Sequence, residues 1–274
     1  MKKIVILLLF LTVLLVGCRN EVAFDYEAKT LTVGLEAAYA PFNWLETTET
    51  ETNVKLEGSD GYVEGYDVQI AKKLADDLGY NLVIKMIDWI GLVLSLQSGM
   101  IDVIIAGMSP TEERKREISF TDAYYTSVHV VVVKADGNYQ NATTLDDFAN
   151  AKIIGQKSTI YDTLAEELAE RNTGASHLVA LESIPEVVNT LLSGVSDVTI
   201  VERPVALSIV NSNPSLKFIE FKNGFDVAEE DKVVSIGVRK NDTKLLEMLN
   251  TSLAKISGEE REALMLAASL GNNQ

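Results

Sequence analysis

Cysteine and histidine are scarce in this chain, with one Cys and two His among 274 residues. A single cysteine excludes a disulfide within the chain, so the folded part must be stabilised by its core. The potential ligands show no spacing typical of a metal site. We therefore expect no metal ion and no other cofactor.

Basic residues are few relative to acidic ones, at 24 Lys and Arg against 40 Asp and Glu, which gives a formal net charge of −16. This balance argues against a nucleic-acid partner, because phosphate binding needs clustered Lys and Arg. The length and the 47% hydrophobic content suffice for one large or two modest domains.

Catalytic motifs are also missing: H-E-x-x-H, G-x-S-x-G, Walker A and G-x-G-x-x-G do not occur. The segment from Ser252 to Lys255 matches S-x-x-K, but no S-D-N or K-T-G accompanies it, so we take it as a chance match. His129 and His177 lie in strand-like segments and are interpreted as structural residues. The sequence therefore predicts a binding protein rather than an enzyme.

Only one long hydrophobic run is present, from Ile4 to Val16, and it follows two lysines. It is short for a membrane span and fits the core of a signal peptide. The run leads through Gly17 to Cys18, the sole cysteine, and resembles the lipobox of bacterial lipoproteins. That resemblance implies a signal peptide over 1–17, a lipid on Cys18 and a lipidated tether over 18–29. The alternative is a plain secretory signal with an incidental cysteine.

Strand-like and helix-like segments alternate along the rest of the chain, which indicates an α/β fold with a partly parallel sheet. Helical spacing of apolar residues predicts a helix after Asp67, which is placed to cap it, and Gly79 is placed to end it. The acidic stretch 46–64 has no hydrophobic period, and we expect a mobile loop there.

Two similar phrases, SGMIDVII at 98–105 and SGVSDVTI at 193–200, indicate two lobes of similar design. Ligands of open α/β sheets bind outside the carboxyl ends of strands. The first phrase leads on to Gly107 and Arg114, and the second leads to Glu202, in register with Gly107. A cation and a carboxylate that face each other across a cleft would match the two poles of a zwitterion.

The segment GMSPTEERKREISF after the first phrase reads as a helix start, with Ser109 as N-cap, Pro110 at the first position and Glu112 completing a capping box. Arg114 lies one turn further on. Two interpretations stay open from this segment alone: a charge on a solvated helix, or a guanidinium aimed at a ligand carboxylate.

The mature chain, about residues 30–270, resembles the amino-acid-binding lipoproteins of ABC importers, which are bacterial extracellular solute-binding proteins of family 3. The phrases VGLEAAYAPFNW, GYDVQIAKKLA, DWIGLVLSLQSGMIDVIIAGMSPTEERKREISFTDAYY and SDVTIVERPVA carry the resemblance. It implies the type II periplasmic-binding-protein fold, with two lobes, each a mixed sheet flanked by helices, and a double-strand hinge. The boundaries would be 30–127 plus 232–274 for lobe 1 and 128–231 for lobe 2.

The resemblance also implies a role for each site residue, and these roles fall into three groups. Carboxylate binding falls to Arg114, Ser109 and Thr159, with backbone groups of Ala106 and Gly107, while Glu202 binds the ammonium. Tyr39 and Trp89 sandwich the ligand side chain, and Phe42 lines the same wall. Glu36 and Asp67 lie near the ligand side chain, which favours a polar or cationic amino acid.

Structural interpretations of the same residues stay open. Glu202 could be an exposed turn residue, Thr159 a helix cap that also binds ligand, and Tyr39 and Trp89 ordinary core. Glu202 and Lys157 depart from the residues most often found at their positions in the family.

The implied function is that of the extracytoplasmic binding component of an amino-acid importer, closing around a free amino acid by hinge motion. Its partner would be an ABC permease, and we expect a monomer held to the outer face of the cell membrane through Cys18. The alternatives are a cleft enzyme of the dehydratase type on the same fold, or a ligand-sensing domain.

Overall fold

The structure is a computed structural model, and it describes residues 22–271. The predicted signal peptide and Cys18 lie outside the described residues. The strands are β1 (Thr30–Leu35), β2 (Ala38–Tyr39), β3 (Asn43–Glu46), β4 (Val54–Lys55), β5 (Tyr62–Glu64), β6 (Asn81–Met86), β7 (Val103–Ile104), β8 (Ser119–Thr126), β9 (His129–Lys134), β10 (Lys152–Ile154), β11 (Ser176–His177), β12 (Val198–Glu202), β13 (Leu216–Ile219) and β14 (Val233–Val238).

The helices form where apolar residues recur at helical spacing, except α3, whose six residues are all charged. They are α1 (Tyr66–Leu78), α2 (Leu92–Gln97), α3 (Glu112–Glu117), α4 (Ile160–Arg171), α5 (Ile184–Ser193), α6 (Arg203–Ser212), α7 (Thr243–Leu253) and α8 (Gly258–Gly271). As predicted, α1 ends at Gly79, whose left-handed backbone (φ 68°) lets its N–H reach the last turn.

Two mixed five-stranded sheets form the two lobes of an α/β fold, in the strand orders β6-β1-β7-β14-β8 and β11-β10-β12-β9-β13. In each sheet three neighbouring strands pair in parallel, and the two remaining pairings, which involve β14 in the first sheet and β9 in the second, are antiparallel. Helices α1, α2 and α7 pack on the first sheet, and α4, α5 and α6 pack on the second. The fold class predicted from the sequence is therefore confirmed.

The chain passes between the sheets twice. It leaves the first sheet between β8 and β9, at residues 127–128, and returns to it between β13 and β14. The two crossing segments are joined, because the Ser127 N–H donates to the Lys232 carbonyl at 2.9 Å. This pair of crossings is the double-strand hinge.

The two similar phrases adopt the same local structure. Gly99 (φ 77°) and Gly194 (φ 79°) follow α2 and α5 in the left-handed conformation. The aspartate of each phrase then binds the neighbouring strand: the Thr32 N–H donates to Asp102 Oδ2 at 2.9 Å, and the Lys152 N–H donates to Asp197 Oδ2 at 2.9 Å. The aspartates therefore fix where β7 and β12 enter their sheets.

Two sequence expectations about irregular segments are wrong. Residues 46–64 are not a structureless loop, since β3, β4 and β5 form a sheet with β2, and Glu64 accepts hydrogen bonds from Thr50 and Thr52. The tether also ends earlier than residue 29. Phe24 is buried against Tyr26 and Tyr80, and its N–H donates to Asp242 at 3.2 Å.

Residues 22–271 contain no helix that is both long enough and apolar enough to cross a membrane. The same residues contain no cluster of three or more His, Cys, Asp or Glu side chains that could hold a metal ion.

Candidate functional site

A small cavity lies between the two lobes, where segments that follow parallel strands of both sheets meet. Its volume is about 20 Å³. The residues that line it are Tyr39, Trp89, Gly107, Ser109, Arg114, Gln156, Thr159, Ile160 and Tyr161. Six of the eleven ligand-binding residues predicted from the sequence are among them, which makes this cavity the candidate site.

Arg114 reaches the cavity from the first turns of α3. Its Nη1 donates to the Ser109 carbonyl at 2.8 Å, and its Nη2 donates across the cleft to the Ser158 carbonyl at 2.9 Å. Its guanidinium carbon lies 4.9 Å from the centre of the Trp89 ring, within cation–π range. Burial lowers the pKa of Arg114 to about 10, so it remains a cation at neutral pH.

The helix that carries Arg114 starts two residues later than the sequence predicts. The N-cap is Thr111, whose side chain accepts from the Arg114 N–H, and α3 begins at Glu112. Ser109 as N-cap, with a capping box to Glu112, is therefore wrong. The Thr111 Oγ1 accepts the Arg114 N–H at 3.3 Å, which satisfies one of the free donors at the start of the helix. Ser109 is left free to line the cavity.

Gly107 turns the chain from β7 toward α3. Its φ is 60°, and a Cβ atom here would lie 2.8 Å from a ring carbon of Tyr39. A glycine is required for both reasons. Ala106, one residue earlier, is 1% exposed, so its side chain packs in the core.

Asp67 supports this turn from beneath and does not line the cavity. It is fully buried and accepts hydrogen bonds from Tyr124 Oη at 2.6 Å and Asn43 Nδ2 at 2.8 Å. Tyr124 Oη in turn accepts the Gly107 N–H at 3.1 Å. Burial raises the pKa of Asp67 to about 6.

Both sequence interpretations of Asp67 are therefore corrected. It is not a contact for the ligand side chain, because its carboxylate is enclosed behind the turn. It is not a helix cap either, because α1 begins at Tyr66 with Gly65 as N-cap and no side-chain capping bond.

Glu202 ends β12 and immediately precedes α6. Its carboxylate is 5% exposed, and Oε1 accepts from Tyr39 Oη at 2.9 Å and from Tyr161 Oη at 2.6 Å. Burial raises the pKa of Glu202 to about 7, despite the hydrogen bonds from the two phenols. The alternative of an exposed turn glutamate is therefore wrong.

Tyr39 and Trp89 both line the cavity, from opposite parts of the first lobe. Tyr39 stacks on Phe42 with ring centres 5.3 Å apart and planes at 8°. Phe42 is fully buried, so it supports Tyr39 rather than lining the wall as predicted.

Thr159 caps α4: its Oγ1 accepts the Tyr161 N–H at 3.2 Å and donates to the Gln156 carbonyl at 2.7 Å. It lines the cavity at the same time, so the two interpretations of this residue are compatible. Ser158 precedes it with φ 58°, an uncommon conformation for a residue other than glycine. This turn aims the Ser158 carbonyl at Arg114.

Glu36 lines a neighbouring cavity of about 140 Å³. The other lining residues are Ala38, Asp88, Trp89, Ile90, Glu182 and Ser183. Oε1 of Glu36 is buried without a hydrogen-bond partner, and Oε2 lies 3.5 Å from Gln156 Nε2. Burial raises the pKa of Glu36 to about 7, with a further contribution from Asp88. Trp89 forms part of the wall of both cavities.

The comparisons with known proteins agree with this arrangement. Residues 31–266 match the family model of the bacterial extracellular solute-binding proteins, family 3. The chain belongs to this family.

Individual relatives cover nearly the whole chain. The arginine-binding extracellular protein ArtP of Bacillus subtilis is 29% identical over 93% of each chain. The L-cystine-binding protein TcyJ of Escherichia coli is 29% identical over 88% of this chain and 81% of that protein. The structure of the Streptococcus pneumoniae ABC-transporter substrate-binding protein AbpA bound to L-arginine is similar, with a TM-score of 0.74, 26% identity and coverage of 90% of this chain and 97% of that one.

A family-3 solute-binding protein acts outside the cytoplasm, and this chain is a binding protein rather than an enzyme, since its relatives are named as binding proteins of transporters. Neither the dehydratase nor the sensor alternative finds support among them.

Gln156, Ile160 and Tyr161 are cavity residues that were not predicted from the sequence. Tyr161 stands two residues after the capping Thr159, and an aromatic residue so early in a helix was the available signal. Gln156 is 3% exposed and offers no comparable pattern.

A larger cavity of about 530 Å³ lies between α8 and the segment 44–69. Its carboxylates are already bonded, Glu46 to Trp44 Nε1 and Glu64 to Thr52. It offers no opposed cation and carboxylate, so it is a weaker candidate for the solute site of a family-3 protein.

Proposed function

We propose that this protein binds a free amino acid between its lobes and delivers it to an ABC importer. One observation carries the proposal: Arg114 of one lobe lines the cleft cavity, and the buried carboxylate of Glu202 in the other lobe lies directly behind the phenols of Tyr39 and Tyr161 that line the same cavity. An amino acid is a zwitterion, and its two poles need these two opposite partners.

The ligand carboxylate would take the Nη2 donor of Arg114 that now reaches Ser158, with Ser109 and the N–H groups near Gly107 and Thr159 within the same wall. The ammonium would bind Glu202. Each lobe then holds one charge of the ligand. Closure of the hinge brings Arg114 and Glu202 toward each other around the ligand and excludes water, which strengthens both charged contacts.

The cavity at Glu36 supports a cationic side chain on this ligand. Glu36 presents a buried carboxylate oxygen without a partner, and Asp88 adds a second negative charge nearby. Trp89, on the border, can stack on a guanidinium or an aliphatic chain. Similarity to an arginine-binding protein and an arginine-bound structure favours the same class, a polar or cationic amino acid.

The test is a thermal-shift screen of the mature protein with the twenty amino acids. A tight ligand stabilises the protein by mass action, so we expect a clear rise in melting temperature with arginine, lysine or another polar amino acid and none with glutamate. Titration calorimetry with the strongest hit would then give stoichiometry and affinity. No shift with any amino acid would contradict the proposal.

We further propose lipid attachment at Cys18, a monomeric state, an ABC permease as partner, and 128–231 as lobe 2, with the rest of the folded chain as lobe 1, from before residue 30 because Phe24 packs in it. The strand orders of the two sheets support the boundaries. Metabolic labelling with an alkyne fatty acid tests the anchor: the wild-type protein should be labelled and Cys18→Ser should not. An unlabelled wild-type protein would contradict it.

A further inference from the structure

Tyr161 is a buried phenol beside the proposed ammonium site. It is the second residue of α4, its ring is 5% exposed, and it packs edge-on against His129 with ring centres 5.8 Å apart. Its Oη donates to Glu202 Oε1 at 2.6 Å and lies 2.8 Å from Tyr39 Oη. Neither of the proposed partners of the amino acid's two charges, Arg114 and Glu202, requires a phenol at this point.

The three oxygen atoms of Tyr39, Tyr161 and Glu202 join the two lobes. Tyr39 comes from the first lobe, whereas Tyr161 and Glu202 come from the second. Tyr39 Oη lies 2.9 Å from Glu202 Oε1 and 2.8 Å from Tyr161 Oη. Each phenol has one proton, so only two of the three contacts are hydrogen bonds at a time, and a bond from Tyr39 to either partner joins the lobes. All three side chains are nearly fully buried, which strengthens these bonds compared with the same bonds in water.

Arg114 makes the corresponding cross-lobe contact at the other pole, to the Ser158 carbonyl at 2.9 Å. Both side chains proposed to bind the ligand's charges, Arg114 and Glu202, are therefore hydrogen-bonded to other groups of the protein. The space that remains between them is about 20 Å³, which is room for about one water molecule and much less than an amino acid needs. An amino acid cannot occupy the space between Arg114 and Glu202 while the phenols of Tyr39 and Tyr161 hold these positions.

We propose that Tyr161 is a latch, which with Tyr39 closes the lobes on each other and competes with the ligand ammonium for Glu202. Binding then requires the lobes to part and the phenols to release the carboxylate. The apparent association constant is the intrinsic one multiplied by the fraction of protein whose lobes are parted, so a closed latch weakens binding. The competition rests on the proposed amino-acid function, whereas the latch itself does not.

The test compares Tyr161→Phe with Tyr139→Phe as a matched control. Both substitutions keep the ring and remove one hydroxyl from the second lobe. Tyr139 is half-buried, however, and its Oη donates to the Ala149 carbonyl at 2.9 Å, away from the cleft. Small-angle X-ray scattering of the ligand-free protein should give a larger radius of gyration for Tyr161→Phe than for the wild type and the control.

Titration with L-arginine, or with the strongest hit of the screen, should give about two- to tenfold tighter binding by Tyr161→Phe, which is what one hydrogen bond lost from the competing state is worth. Tyr39→Phe, which removes the partner hydroxyl, should repeat both results if Tyr161→Phe folds poorly. An unchanged radius of gyration, or weaker or unchanged binding, overturns the proposal. If no amino acid binds any variant, the amino-acid function fails, and the scattering result alone decides the latch.

Discussion

The ends of β7 and β12 deliver opposite charges to one cleft by different routes. Both strands follow the same phrase, with a left-handed glycine and then an aspartate that binds the neighbouring strand. In the first lobe the strand stops at Ile104, and a turn through Gly107 leads to a helix that carries Arg114. In the second lobe the strand continues to Glu202 itself.

This difference sets the chemistry of the two poles. Arg114 lies on a short helix at the cleft margin and keeps its charge at neutral pH. Glu202 lies at the end of a fully buried strand, so its charged form is disfavoured, and its pKa rises to about 7. One pole is therefore always charged, whereas the charge of the other depends on pH and on what lies beside it.

The largest expected effect comes from removing the permanently charged pole. Arg114→Ala should weaken binding of the amino acid by about 2–5 kcal/mol, since the ligand carboxylate would be left without its partner. Arg114→Lys should recover only part of this loss, because an ammonium lacks the planar fork of donors. Calorimetric titration with the ligand from the screen measures both.

Arg116→Ala is the matched control, because Arg116 lies on the exposed face of the same helix. It should bind as the wild type does. Unchanged affinity in Arg114→Ala, or equal losses in the two alanine variants, would show that Arg114 is only a charge on a solvated helix.

Much of this site followed from the sequence, because strand ends and glycine turns are local features. The two phrases located Arg114 and Glu202, and the resemblance added Tyr39, Trp89 and Thr159. What the sequence could not supply depends on packing between distant segments. Asp67 looked like a cap because it begins a helix pattern, yet a bond to Tyr124, fifty-seven positions along the chain, determines its role.

The same limit applies to the irregular segments. Polar residues 46–64 carried no hydrophobic period, but short strands need only a neighbour to pair with. Strand β3 provides one for β5, and β5 provides one for β4. Phe24 appeared to belong to a tether because its partners, Tyr26 and Tyr80, become neighbours only when the chain folds.

The next effect concerns the pole whose charge depends on pH. Binding an ammonium requires the ionised form of Glu202, so affinity should fall about tenfold per pH unit as the pH drops below about 7 and the carboxyl takes up a proton. Glutamine at this position cannot ionise. Glu202→Gln should therefore bind more weakly at pH 8 and lose this part of the pH dependence.

Titrations at pH 5.5, 7 and 8, in two buffers of different ionisation enthalpy, would detect the proton released on binding. Glu36 also has a pKa raised to about 7 by burial, so Glu36→Gln separates its contribution for a ligand with a cationic side chain. The same pH profile in the wild type and in Glu202→Gln would contradict the assignment of Glu202 to the ammonium.

The smallest effect concerns the two aspartates that make the phrases alike, and it acts on stability. Asparagine keeps the shape and one acceptor, so Asp197→Asn should retain the bond from the Lys152 N–H and lose about 0.5–1 kcal/mol. Asp102 has an additional partner, because its Oδ1 lies 3.4 Å from Nη2 of Arg239, which is 6% exposed. In Asp102→Asn the amide donor would face that guanidinium, so the loss should be larger, about 1–3 kcal/mol.

Urea unfolding of the two variants beside the wild type measures the difference. Equal losses would mean that Asp242, which binds the same arginine at 2.7 Å, supplies all of its electrostatic support, and that the two phrases are alike in energy as well as in form.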